Sequence, residues 1–287
     1  MKFKAPFLVL MFLSFYSTHA QDSNIQIYTP SKLMQSGQWD VKWFNNLYTE
    51  TISVNDKKET LNSPRRNFFT SSLDVFTGLN AAAIWNVGVH LEYRSNTIDG
   101  MDLLAPFSFK ERPEQRRGLT RIAPAIKVAP FSDLTNFSIQ SSFSIPLFDE
   151  EDIQGVYLDQ KGYVWQNKAF YDYSSSNGSF QVFSELNLEY NFGETDASYA
   201  NDSLRLSPGI FASYFPSQNF TVLALIQHSS LIAINNEFSQ NYSAIGAGVK
   251  YQINRTLNIE AVYTNFIRGN STGLGETINL GLRAVIN

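Results

Sequence analysis

Cysteine is absent from all 287 residues. That excludes a disulfide framework and an N-terminal lipid-modified cysteine. Charge is sparse too, at 17% of residues, which is low for a soluble exported domain. There is no basic excess: 22 Lys and Arg stand against 26 Asp and Glu, so nucleic acid is not an expected partner. Nowhere is there an unbroken apolar run of 18 or so residues, which excludes a helical membrane protein. It does not exclude a membrane barrel, whose strands show only alternation.

The one compact apolar run lies at the start, in "MKFKAPFLVLMFLSFYSTHAQ". Lys2 and Lys4 form a positive end, Phe7 to Tyr16 an apolar middle, and Thr18-His19-Ala20 a small-x-small cleavage site. This predicts a secretory signal over 1–20. Residues 21–38 are then expected as a periplasmic N-terminal segment, one that can reach into the body that follows, from 39 to 287.

That body alternates. In "IWNVGVHLEYR", Trp85, Val87, Val89, Leu91 and Tyr93 share one face, and Asn86, Gly88, His90, Glu92 and Arg94 the other. Strand side chains alternate with period two, so this is a strand with an apolar and a polar face. Similar segments of roughly 10–14 residues recur about twelve times, a length that crosses an outer membrane when tilted. "YVWQNKAFYDY" is the weakest of them. Tight connections (near Asn80, 132–135, 174–178, 216–218, 254–256) alternate with longer polar ones (52–66, 96–117, 149–162, 193–202, 233–240, 269–274). Short turns at one end and long loops at the other is barrel design.

An internal echo links Arg-x-x-Pro-x-Ile at Arg121 and Arg205. Its prolines, Pro124 and Pro208, lack a ladder donor and are expected at a bulge or a strand start.

The polar faces carry Asn, Gln, Ser and Gly with scattered charges of both signs. His90, Glu92, Arg94, Arg121, Lys127, Glu185, Glu189, Arg205, Lys250, Glu260 and Arg283 are expected to line a lumen, and Arg268 has the same expectation. Aromatic residues near strand ends are expected to form two girdles at headgroup level: Trp39, Trp43, Phe68, Phe69, Tyr93, Phe131, Phe137, Tyr214, Phe215, Phe220, Tyr251 and Tyr263.

On these segments the chain resembles the Gram-negative outer-membrane β-barrel proteins, across most of 39–287. The resemblance implies an all-β, up-and-down antiparallel transmembrane barrel of about 12 strands in the outer membrane. It implies lipopolysaccharide, outer-membrane lipids and the barrel-assembly machinery as partners. Many such barrels end in an aromatic residue; this chain ends in Asn287. Function stays open between a passive porin-like or structural barrel, a lipid hydrolase and an adhesin-like surface barrel.

The hydrolase reading rests on "QHSS". His228 and Ser230 share a strand face that continues Phe220, Val222 and Ile226. His-x-Ser on an outward face is similar to outer membrane phospholipase A and lipid A deacylase, which implies a His base and a Ser nucleophile. Asn236 and Asn241 are candidate third members, and Leu231 stands where those families often have Asn or Gly. The competing reading is a polar strand end, and no catalytic residue is assigned. "FDEEDIQG" lacks EF-hand spacing, so Asp149 to Asp152 form an acidic loop and no metal or cofactor is expected. In "KERPEQRRG", Arg112, Arg116 and Arg117 are candidate contacts for lipopolysaccharide phosphates.

Overall fold

The computed structural model describes residues 30–193, 201–234 and 238–287. Twelve long strands run through them: β1 Trp39–Val54, β2 Thr60–Gly78, β3 Trp85–Thr97, β4 Gln115–Val128, β5 Phe137–Pro146 and β6 Val164–Ser174. They continue as β7 Phe180–Asn191, β8 Ser203–Tyr214, β9 Phe220–Ala233, β10 Gln240–Gln252, β11 Leu257–Asn270 and β12 Glu276–Ile286. Each pairs antiparallel with the next, and β12 returns to pair with β1 from Trp39↔Ile286 to Thr49↔Glu276. The barrel is closed and leaves no edge. "YVWQNKAFYDY" is β6, and without it the closure would fail.

The outer face is apolar in every strand. Trp39, Trp85, Ile126, Trp165, Leu186, Ile210, Ile226, Ile245 and Leu280 are all exposed on it. Two outward indoles satisfy their N–H within the wall. Trp43 Nε1 donates to Ser71 Oγ at 2.9 Å and Trp165 Nε1 to Ser141 Oγ at 3.0 Å. That is the arrangement a dry surroundings requires, because lipid offers no acceptor.

Three sequence expectations are corrected. The stretch 52–66 is not a long loop: β1 and β2 extend through it and turn tightly at 55–59, with Lys58 at φ 64°. Phe68 is not a girdle residue. It lies on the inward face of β2, its ring 5.9 Å from that of Tyr48. Pro124 and Pro208 sit mid-strand at neither a bulge nor a start. Each interrupts one ladder without shifting its register.

Two segments enter the barrel. At the short-turn end, residues 30–38 cross the lumen as a floor. Asn86 on β3 accepts the Met34 N–H at 2.8 Å and donates to the Met34 carbonyl at 2.8 Å, as a strand neighbour would. Lys127 donates to the carbonyls of Pro30 and Lys32, and Ser31 bonds Asp172. Gly78 makes room: a Cβ there would lie 2.3 Å from the backbone of Gln35. At the other end, the connection between β5 and β6 folds inward. It forms a small hairpin, Asp152–Ile153 with Val156–Tyr157, turned at Gln154 (φ 55°) and Gly155 (φ 84°). Two positive φ values in succession make a hairpin turn that suits strand twist. Val156 within it and Leu158 just after it are buried.

Candidate functional site

Inward aromatic residues decide where the lumen is full. On one side Tyr48, Phe266 and Tyr242 pack in sequence, with ring centroids 4.9 and 4.4 Å apart. Toward the floor Phe170, Phe183 and Phe211 follow one another at 5.9 and 5.3 Å. Twelve strands enclose more space than small barrels fill, and fewer than wide porins need for a water channel. What the aromatic residues leave is a cavity of about 660 Å³ lined by residues of β1 to β10.

Its walls are polar. Pro30 of the floor and Asp159 and Gln160 of the inward connection line it, so the cavity lies between the two inserted segments. Arg94 and Arg121 both reach Asp159, at 3.0 and 2.6 Å. Arg121 also donates to the carbonyl of Gln160 at 2.7 Å and of Gly162 at 3.2 Å. Asn96 holds the carbonyls of Tyr157 and Leu158 at 2.8 and 3.0 Å. The inward connection is thus fastened to β3 and β4 through charged and amide side chains.

The other lining charges are paired in turn. Arg94 Nε meets Glu92 at 2.7 Å, Arg205 meets Glu189 at 3.4 Å, and Lys168 meets Glu185 at 3.7 Å. His90 Nδ1 lies 2.7 Å from Asp74 and its Nε2 3.1 Å from the Gln140 amide. Among the expected lumen residues, His90, Glu92, Arg94, Arg121, Glu185, Glu189 and Arg205 line this cavity. The other five are elsewhere, Arg268 being exposed on β11. Lys127 binds the floor segment, Lys250 pairs with Glu260 at 3.7 Å, and Arg283 pairs with Asp40 at 2.8 Å.

Lys42, Asp74 and Lys168 also line the cavity, beyond the residues expected there. The alternation of β1, β2 and β6 was a sufficient signal for them. Asp159 had none, because it lies in a connection whose inward path no period encodes.

His228 is exposed on the outer face, between two hydroxyls. Its Nδ1 lies 2.9 Å from Ser243 Oγ and its Nε2 3.1 Å from Ser230 Oγ. The neighbouring-strand partner of the His228 ring is therefore Ser243 of β10. Asn241 is paired with Ser230 across the ladder without taking that place, and Asn236 lies outside the described residues. Of the acidic run, Asp152 caps the Gly155 N–H at 2.8 Å and Glu151 accepts the Lys161 N–H at 2.6 Å. Arg116 bonds the Glu150 carbonyl, and Arg117 the carbonyls of Ser108 and Phe109 at 2.7 and 2.8 Å.

No family model matches the chain, and no curated protein matches it in sequence. Solved structures do match in fold. An outer membrane channel from Pseudomonas putida F1 has a TM-score of 0.67 at 8% identity, over 94% of this chain and 100% of that one. The β domain of the Bordetella autotransporter BrkA has 0.56 at 12% identity, over 86% and 99%. The NanC porin has 0.47 at 10%, over 86% and 98%. With its closed twelve-stranded ladder and apolar outer wall, this chain has the fold of the outer-membrane β-barrel proteins.

Proposed function

We propose that the protein is a narrow porin-like channel for small solutes, with the short-turn end toward the periplasm. The carrying observation is the polar cavity of about 660 Å³, held between a floor segment and a fastened connection inside a lipid-facing wall. A purely structural barrel has no need of a cavity lined by paired charges, whereas a diffusion path needs a hydrated one. Reconstitution into planar bilayers tests it. Small discrete conductance steps are expected, and their absence at every voltage would refute the channel.

One contact favours a second reading, lipid hydrolysis. His228 reaches Ser230 from one ring nitrogen and Ser243 from the other. A base between a nucleophile and an orienting group is the required order. Phospholipid and lipid A turnover, compared between wild type and Ser230→Ala, decides it: equal and null rates end the reading.

A further inference from the structure

The ladder between β4 and β5 is broken at its centre. Ile122 pairs with Ile145 and Ala125 with Ser142, in one register, but the ladder skips Ala123 and Pro124. On its other side Pro124 keeps its place opposite Val89 of β3. Proline has no N–H to give, so the missing rung is the one that faces β5.

Outside the break lies a groove of about 460 Å³. Pro124, Ile126, Phe143, Trp165 and Phe192 wall it. Ala125 and Ser142 also line it, although both belong to the lumenal face. Ser142 lines the inner cavity as well, and its hydroxyl is 3.5 Å from Gln166 Oε1 there. Ser142 therefore borders both the polar cavity and the apolar outer groove, next to the rungs that the ladder skips.

We propose that this break is a lateral portal that passes a single-chain amphiphile with an uncharged polar head between the lumen and the membrane. The two sides of the break specify that occupant. The groove presents proline, isoleucine and aromatic rings, which suit one alkyl chain. The inner side presents Gln140, Ser142, Ser144 and Gln166, which hydrogen-bond a hydroxylated head. The cavity's charges already meet opposite charges, so a charged head would have to displace one. The site goes beyond passage of water-soluble solutes along the barrel axis.

The test uses the full barrel in lipid nanodiscs and a photoreactive probe. The probe is a dodecyl glycoside with a diazirine on the carbon next to the sugar. After illumination, mass spectrometry is expected to find adducts on Gln140 and Ser142 in addition to Ile126 and Phe143. Pro124→Ala restores an N–H to the ladder. It is expected to lower the Gln140 and Ser142 adducts at least fivefold while leaving potassium chloride conductance unchanged. Equal adducts in both proteins would mean entry through the barrel mouth and would overturn the portal, as would none inside the wild type. A second variant, A123C/S144C, keeps Pro124 and exploits the absence of native cysteine; the flanking register sets the two residues opposite each other across the break. Oxidation should remove the inner adducts and reduction restore them; no return on reduction would also count against the portal.

Discussion

Asp159 is the residue on which the inward connection depends most. Its carboxylate receives Arg94 at 3.0 Å and Arg121 at 2.6 Å, and its side chain is 7% exposed. Removing one partner of a buried pair costs about 3–5 kcal/mol, because the other charge stays behind. Arg94 keeps Glu92, so the lower end of that range applies. Asp159→Asn is expected to lower the unfolding temperature in detergent and to raise the open-state conductance, read in the same planar bilayers. Unchanged conductance with a lowered unfolding temperature would make the contact a structural brace only. The residue scale is also where sequence reading has its sharpest limit. His90 and Glu92 were legible because they alternate with Val89 and Leu91 within one strand. Asp159 was not, because a loop has no period. Phe68 was misplaced for a different reason: aromatic residues suit both a girdle and a lumen packed with other rings, and only its register opposite Tyr48 shows which.

At the scale of elements, the floor and the outer connection behave oppositely. The floor, residues 30–38, is bound by Asn86, Lys127 and Asp172 from three different strands. Each hydrogen bond contributes about 0.5–1.5 kcal/mol net. Losing the segment should therefore leave the barrel folded, since the closed ladder does not include it. Deleting residues 21–36 is expected to increase single-channel conductance several-fold, with heat modifiability on gels retained. Gly78→Val should do the same more weakly, since its side chain would strike the Gln35 backbone. The connection 98–114 instead lies against the outside of the wall. Ser95 Oγ donates to the Pro106 carbonyl at 2.8 Å, and the Phe69 and Phe107 rings are 4.7 Å apart. Leu104 and Phe109 point away from the barrel, 67% and 86% exposed, with the Arg117 guanidinium over the Phe109 ring. We infer that this connection rests in the outer leaflet, with Arg112 and Arg117 near lipopolysaccharide phosphates. Co-purified lipopolysaccharide should fall at least twofold in an R112Q/R117Q variant, while an unchanged amount would remove that partner. Strand positions were readable from alternation, and the side on which a connection folds was not. That side depends on which wall residues, such as Ser95 or Asn96, offer it partners.

For the whole molecule, the arrangement of charge predicts how the barrel treats ions. Lys42, Arg94, Arg121, Lys168 and Arg205 line the cavity, and Asp74, Glu92, Asp159, Glu185 and Glu189 line it with them. The two sets are equal in number, and each cation has an acid within 4 Å, Asp40 serving Lys42. At such distances the fields of paired charges largely cancel beyond a Debye length of about 8 Å in physiological salt. A solute entering the cavity therefore meets local donors and acceptors rather than a potential of one sign. Under a tenfold potassium chloride gradient the reversal potential of the wild-type channel is expected to stay near zero. Neutralising Glu185 and Glu189 together leaves Lys168 and Arg205 without these partners, and E185Q/E189Q should shift the reversal potential to the chloride side. These two residues come from one strand face, so the shift would tie selectivity to β7. A wild-type channel already strongly selective for either ion would show that the pairs open when solute enters, and that the balance seen in the closed cavity does not govern passage.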